Sequence, residues 1–217
     1  MASRLPLFPL NTVLVPGLVL PLHVFEPRYR VLVQALSSLP ESAPRRFGVV
    51  AIRSGSEVGD TPPDLFPVGC AAELREVTAR EDGGFDIVVV GETRFRLAGL
   101  DPTAGTPYLS GLVEFLPEPD GEGDLSGLVA AVTALFAAYR RELGVEVTDL
   151  PDDPRVVSYL LAAAMVLPLP ERQSLLEQVT TADRLHDERD LLRRERTLVR
   201  AFGTLPATDV TTTVNPN

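Results

Sequence analysis

The chain has 217 residues, 45% of them hydrophobic, enough to bury one large core or two smaller ones. All 20 basic residues are Arg, and the absence of Lys excludes a Walker A phosphate loop, a Ser-Lys hydrolytic dyad and Schiff-base chemistry in this polypeptide. The formal charge of −10 is uneven: residues 1–56 hold six Arg against two acids, a net of +4, while residues 57–124 hold four Arg against fifteen acids, a net of −11, which disfavours nucleic acid as a partner.

In chain order, the first 116 residues read as short strands separated by turns, with one helix. "LPLFPL" and "LVLPLHVF" are apolar segments split by the turn signal Pro16-Gly17, and their prolines suit edge strands or bulges. Between them and the next strand, Tyr29, Leu32, Val33 and Leu36 fall at i, i+3, i+4 and i+7, one face of a helix that opens at Pro27. "RFGVVAIR" and "VGCAAELREV" are the following strands. "GFDIVVVG" comes after a hairpin loop at Glu81-Asp82-Gly83-Gly84, and "TRFRLAGL" alternates Arg94 and Arg96 with Phe95 and Leu97 as a half-buried strand should. "YLSGLVEFL" completes the set. Many short strands joined by Gly/Pro turns predict a curled or barrel-like sheet.

The loop "PEPDGEGD", residues 117–124, marks the change of periodicity and the predicted boundary between a β-rich subdomain (1–118) and a helical one (124–203). Beyond it, Leu125, Leu128, Val129, Val132, Leu135, Phe136, Tyr139 and Leu143 follow helical spacing behind the N-cap Asp124. A second helix starts from Asp153 and Pro154, and "PERQSLLEQV" makes a short third. From about Thr181 a long charged helix runs to Phe202 with Leu185, Leu192 and Val199 seven apart. Gly203 ends it, and residues 204–217 are expected to form a flexible tail.

The densest chemistry lies at the first strand-to-helix junction, where His23, Phe25, Glu26, Pro27, Arg28 and Tyr29 stand within seven residues. As architecture, Phe25 staples strand to helix, Pro27 supplies the first helical φ, and the Glu26 carboxylate meets the free amides at the helix start. As catalysis, His23 or the distant His186 would need a Ser or Cys brought beside it by the fold. No G-x-S-x-G elbow is present, Cys70 sits in a strand pattern, and two His and one Cys show no metal-ligand spacing. The architectural reading accounts for more of the residues, so no catalytic, cofactor-binding or metal residue is assigned. Lone Cys70 has no internal disulfide partner. "MASRLPLFPLN" lacks a secretory pattern, and no apolar run reaches membrane-spanning length. A cytoplasmic location without a membrane partner is therefore expected.

"LPLFPLNTVLVPGLVLPLHVFEPRYR" resembles the opening of the Lon protease N-terminal, substrate-binding domain, especially its free-standing bacterial versions with their P-L-x-x-F-E-P-R-Y run. "VGCAAELREV", "VVVGETRFRLAGL", "PYLSGLVEFLPE" and "SYLLAAAMVLPLPERQSLLEQVTTADRL" resemble later segments of the same family in order, so that residues 5–200 together resemble one such domain. The resemblance implies an α+β fold, a six-stranded PUA-like pseudo-barrel with one helix followed by a C-terminal helical bundle. It also implies a non-catalytic polypeptide-binding protein without cofactors, acting as substrate receptor, adaptor or regulator of proteolysis. Its partners would be unfolded or exposed polypeptide segments, with a protease as a further candidate. Binding would use the groove between barrel and helices or an exposed sheet edge. Two alternatives stand beside it, a hydrolase with a spatially assembled His site and an RNA-binding PUA-like module.

Overall fold

The computed structural model describes residues 3–40, 42–57, 63–146 and 150–202; the predicted tail and Gly203 lie outside them. The chain divides into two compact units, one of residues 1–118 with 167–178, the other of residues 119–166 with 179–217. The predicted helical stretch 124–203 thus contributes its short third helix to the first unit, for a reason given by Arg94 below.

The first unit contains strands β1 (Ser3–Leu10), β2 (Val19–Val24), β3 (Arg46–Ser54), β4 (Asp64–Leu65), β5 (Val68–Ala79), β6 (Phe85–Leu100) and β7 (Ser110–Phe115), with helix α1 (Pro27–Ser37) between β2 and β3. The sheet order is β1-β7-β6-β5-β3-β4, with β2 on β6, and a parallel β1–β3 pairing brings the path β1-β7-β6-β5-β3 back to β1. β1 manages this by changing partner along its length: Ser3–Pro6 pair with β7 and Leu7–Leu10 with β3. Pro6 and Pro9 each fall where β1 has a single strand partner among the described residues, which is where a strand tolerates proline.

Among the described residues there are seven strands rather than six. β4 has two residues, too few to leave a periodic trace. The predicted strands "GFDIVVVG" and "TRFRLAGL" form one 16-residue strand, β6. Gly91 between them is a point of close approach instead of a break: its N–H donates to Leu18 O, its carbonyl accepts from Gly17, and a Cβ there would lie 2.2 Å from Val15 O. The turn at Pro16-Gly17 forms as predicted, with Gly17 at φ +80° and Leu18 N–H bonded to Val15 O.

Inside this sheet, α1 buries Tyr29, Leu32, Val33 and Leu36 against Phe8, Leu14, Phe47, Val49 and Ile87. Burial contributes about 1.5–3 kcal/mol for each such large side chain. A second cluster gathers Leu5, Leu7, Val50, Ala71, Phe95 and Val113. Helix α4 (Leu169–Glu177) belongs to this unit and packs on β5. The other unit contains α2 (Leu125–Glu142), α3 (Pro154–Ala164) and α5 (Thr181–Phe202). Asp124 caps α2 through Gly127 N–H, and Asp153 caps α3 through Arg155 and Val156 N–H, as the sequence predicted. Val132, Phe136 and Tyr139 of α2 and Leu185, Leu192 and Val199 of α5 are buried, so both stripes face inward.

Candidate functional site

The junction between β2 and α1 carries His23, Phe25, Glu26, Pro27, Arg28 and Tyr29. Pro27 opens α1, but Glu26 makes no side-chain capping bond. Its carboxylate instead receives Arg28 Nη2 at 2.9 Å. The expected contact with the helix amides gives way to a charged donor two residues on, because a guanidinium bond is stronger than a neutral amide bond. Arg28 Nη2 also donates to the Glu57 carbonyl at 2.7 Å, and the Glu57 carboxylate accepts from Asn11 N–H. The guanidinium lies 4.7 Å over the Tyr29 ring, whose other neighbour, Phe8, stacks at 4.0 Å. Burial pushes the Tyr29 hydroxyl up to about 12, opposed by Arg28. Phe25 corrects the prediction made for it: it is 57% exposed and stacks on His23 at 6.0 Å, so it does not staple the helix. The residue it would meet one turn into α1 is Arg30, not an apolar side chain.

His23 is exposed, and its Nδ1 meets Asp86 Oδ1 at 2.9 Å. Arg80 Nη1 donates to the other oxygen of Asp86 at 2.9 Å. The bonds from His23 and Arg80 hold Asp86 below the usual carboxylate range, and the Gly84 N–H does the same for Asp82. Among the described residues no Ser or Cys lies within hydrogen-bond reach of either His. His186 stands exposed on α5, and Cys70 is fully buried, with its thiol pushed upward by burial. The pairing that the hydrolase reading needs is absent there. No group of three His, Cys, Asp or Glu comes together among the described residues, and no described helix is long and apolar enough to cross a membrane.

Beside the junction, β2 pairs with β6 and with no other strand among the described residues. Its even-numbered residues Leu20 and Leu22 pack on the core, while Val19, Pro21 and His23 are exposed on the outer face. Across β6 they pair with Val90, Val88 and Asp86. The strand thus presents an open main-chain edge and a small apolar outer strip.

Two buried charge clusters escaped the sequence reading. Arg94, expected to alternate outward, is 1% exposed. Its Nε donates to Glu118 at 2.5 Å, Nη1 to Leu176 O at 2.7 Å and Gln178 O at 2.5 Å, and Nη2 to Pro117 O at 3.3 Å. Gln173 adds a bond from Nε2 to Val68 O at 2.9 Å. Arg94 and Gln173 explain why α4 returns to the strand-rich unit: the C-terminal carbonyls of the helix end on a guanidinium rooted in β6. In the other unit, Arg184 Nη1 donates to Ser158 Oγ at 2.9 Å and its guanidinium lies 3.9 Å over Tyr159. One turn on, Glu188 is fully buried with neither carboxylate oxygen hydrogen-bonded among the described residues; burial pushes it well above the usual carboxylate range, against the pull of Arg184. For Glu188 the sequence signal was a charged residue between Leu185 and Leu192 on the apolar stripe of α5; Arg94, alternating with Phe95 and Leu97, carried none.

Residues 4–194 match the family model described as the ATP-dependent protease La (LON) substrate-binding domain. The chain is 30% identical over 209 residues to Lon protease of Escherichia coli strain K12, covering 89% of this chain and 26% of that protein. It is 28% identical over 194 residues to Lon protease 2 of Syntrophobacter fumaroxidans, covering 82% and 23%. It therefore spans about a quarter of the length of these curated relatives. Among solved structures, the Lon N-terminal domain protein from Xanthomonas campestris aligns over 88% of this chain and 98% of its own at 25% identity and TM-score 0.63. The N-terminal domain of the Mycobacterium avium complex Lon protease aligns over the same shares at 20% identity and TM-score 0.69, a likeness of fold.

Proposed function

We propose, since this chain belongs to the Lon substrate-binding domain family, that it recognises exposed or unfolded polypeptide segments as a non-catalytic receptor, adaptor or regulator of proteolysis. The observation that carries the reading is the family match over residues 4–194, to a domain that the family description itself assigns to substrate binding. The described residues add support in kind. Arg28, Arg94 and Arg184 are engaged in building the units. We read the returning strand path as the PUA-like pseudo-barrel of the resemblance, and α2, α3 and α5 as its helical bundle. On this reading a cytoplasmic protease is the natural functional partner, and nucleic acid is not.

The test is direct binding of the purified chain to a chemically unfolded, labelled protein and to the same protein folded, followed by fluorescence anisotropy. Binding of the unfolded form alone is expected. Equal binding of both forms, or of neither, would reject the proposal.

A further inference from the structure

The open edge of β2 has a definite hydrogen-bonding phase. Pro21 pairs with Val88, and a proline has no N–H to give a ladder. Gly91 N–H, opposite the start of β2, donates to Leu18 O. In an antiparallel pair the main-chain groups of alternate residues turn toward and away from the partner. Leu18, Leu20 and Leu22 therefore face β6, and Val19, Pro21 and His23 turn their main chain outward. The edge presents the carbonyls of all three and the N–H of Val19 and His23, two donors and three acceptors. Among the described residues no hydrogen bond uses them. Val19 is 57% exposed, and Pro21 and His23 are exposed with it.

We propose that this edge takes an extended, apolar and basic polypeptide segment as an added strand. The inference rests on the polypeptide-binding reading and gives it a place and a chemistry. An edge of alternating donors and acceptors fits an extended backbone. Residues of the added strand lying opposite Val19 and Pro21 share the outer face with Val88 and Val90, both half-buried, and this favours apolar side chains there. The adjoining hairpin, residues 73–90, carries five acids against two Arg, a net of −3. Arg75 holds Glu73, Arg80 holds Asp82 and Asp86, and Glu76 and Glu81 have no arginine partner among the described residues. Charge complementarity therefore selects Lys or Arg in the segment over Glu or Asp. A second copy of this chain fits less well. In the two-fold register that uses the whole edge, Pro21 faces Pro21, and each Pro21 carbonyl meets a proline nitrogen with no hydrogen to donate.

The probe is a labelled ten-residue peptide of alternating Val and Thr with Lys at both ends, titrated with the full chain and read by fluorescence anisotropy. Its partners are a version with Glu ends, versions N-methylated at one or the other alternate set of amides, and the protein variant Val19→Pro. In that variant the lost N–H faces outward, so the β6 ladder keeps its bonds. The expected results are binding of the Lys-ended peptide, at least threefold weaker binding with Glu ends, and at least tenfold weaker binding for one methylated set only. Val19→Pro should lose at least tenfold while its thermal midpoint stays near that of the parent. Equal loss for both methylated sets, or unchanged binding by Val19→Pro, would overturn the edge. If unfolded protein still binds in that event, the broader reading stands and only its location falls. Concentration-dependent dimerisation abolished by Val19→Pro would overturn the heterologous occupant in favour of self-pairing. The methylated peptides test the parent protein itself, so a misfolded variant does not protect the proposal.

Discussion

Replacing Arg94 tests whether α4 is tied to the strand-rich unit by one buried guanidinium. Arg94→Ala removes the salt bridge to Glu118 and the donors to Leu176, Gln178 and Pro117 carbonyls. Breaking a buried pair from one side costs about 3–5 kcal/mol. Glu118 keeps 17% of its side-chain surface and is partly solvated, which argues for the lower half of that range. The stranded carbonyls, at about 1–3 kcal/mol for each unsatisfied buried group, argue for the upper half. An overall loss of about 3–5 kcal/mol follows. With a urea slope of about 1–3 kcal/mol per molar, the unfolding midpoint falls by at least about 1 M. Arg94→Lys recovers only part of this, because an ammonium cannot fork between a carboxylate and three carbonyls spread over two segments. Hydrogen exchange distinguishes a local effect from a global one: α4 amides should lose protection in Arg94→Ala before those of β3 and β5. A midpoint shift under about 0.3 M, with α4 still protected, would refute the assignment of Arg94 as the tie.

Glu188 makes stability pH-dependent with a definite sign. Its folded pKa lies above its unfolded one, so its stabilising proton is fully in place below about pH 4.3 and is lost as pH rises toward the folded value, at up to about 1.4 kcal/mol per pH unit. Glu188→Gln should flatten this fall, so the variant gains on the parent from pH 5 to pH 8 in thermal unfolding, and parallel curves would contradict it. At the junction, Arg28→Ala should cost more stability than Glu26→Ala, because Arg28 also holds the Glu57 carbonyl and covers Tyr29, whereas the Glu26–Arg28 bridge alone is worth about 1 kcal/mol; equal losses in urea titrations would contradict this. Gly91→Ala drives a Cβ against Val15 O at 2.2 Å and should destabilise by about 2–3 kcal/mol, whereas Gly99→Ala, with nothing within 4 Å of the new Cβ, should fall within about 1 kcal/mol of the parent.

The sequence carried the elements that obey a period. The α1 face of Tyr29, Leu32, Val33 and Leu36, the caps Asp124 and Asp153, and the Glu81–Gly84 hairpin all follow from local chemistry that no distant contact overrides. What was illegible depends on partners far along the chain. Arg94 lies 82 residues before the Leu176 carbonyl that it holds, and nothing in "TRFRLAGL" announces that the end of α4 comes back to it. Glu26 illustrates a subtler limit. Its place at the helix start was readable, but the competition between helix amides and Arg28 was decided by a charged donor with geometry that only the fold supplies. Phe25 was misread because a staple needs an apolar partner one turn on, and Arg30 stands there.

The buried and half-buried arginines of the strand-rich unit are committed to architecture. Arg28 closes on Glu26, Glu57 and Tyr29, and Arg94 is enclosed by Glu118 and three carbonyls. Side chains engaged in this way are poor readers of a ligand, since rebinding them elsewhere would give up bonds already made. The free valence found beside the junction belongs instead to the β2 main chain. A receptor for many unrelated unfolded chains needs to recognise what those chains share, and they share a backbone. On the edge proposal, main-chain bonds are indifferent to sequence, and the apolar strip and the acidic hairpin would add only a bias toward apolar and basic segments. That proposal predicts broad, modest affinity that falls sharply when edge donors are removed and changes little when a single side chain of the bound segment is altered.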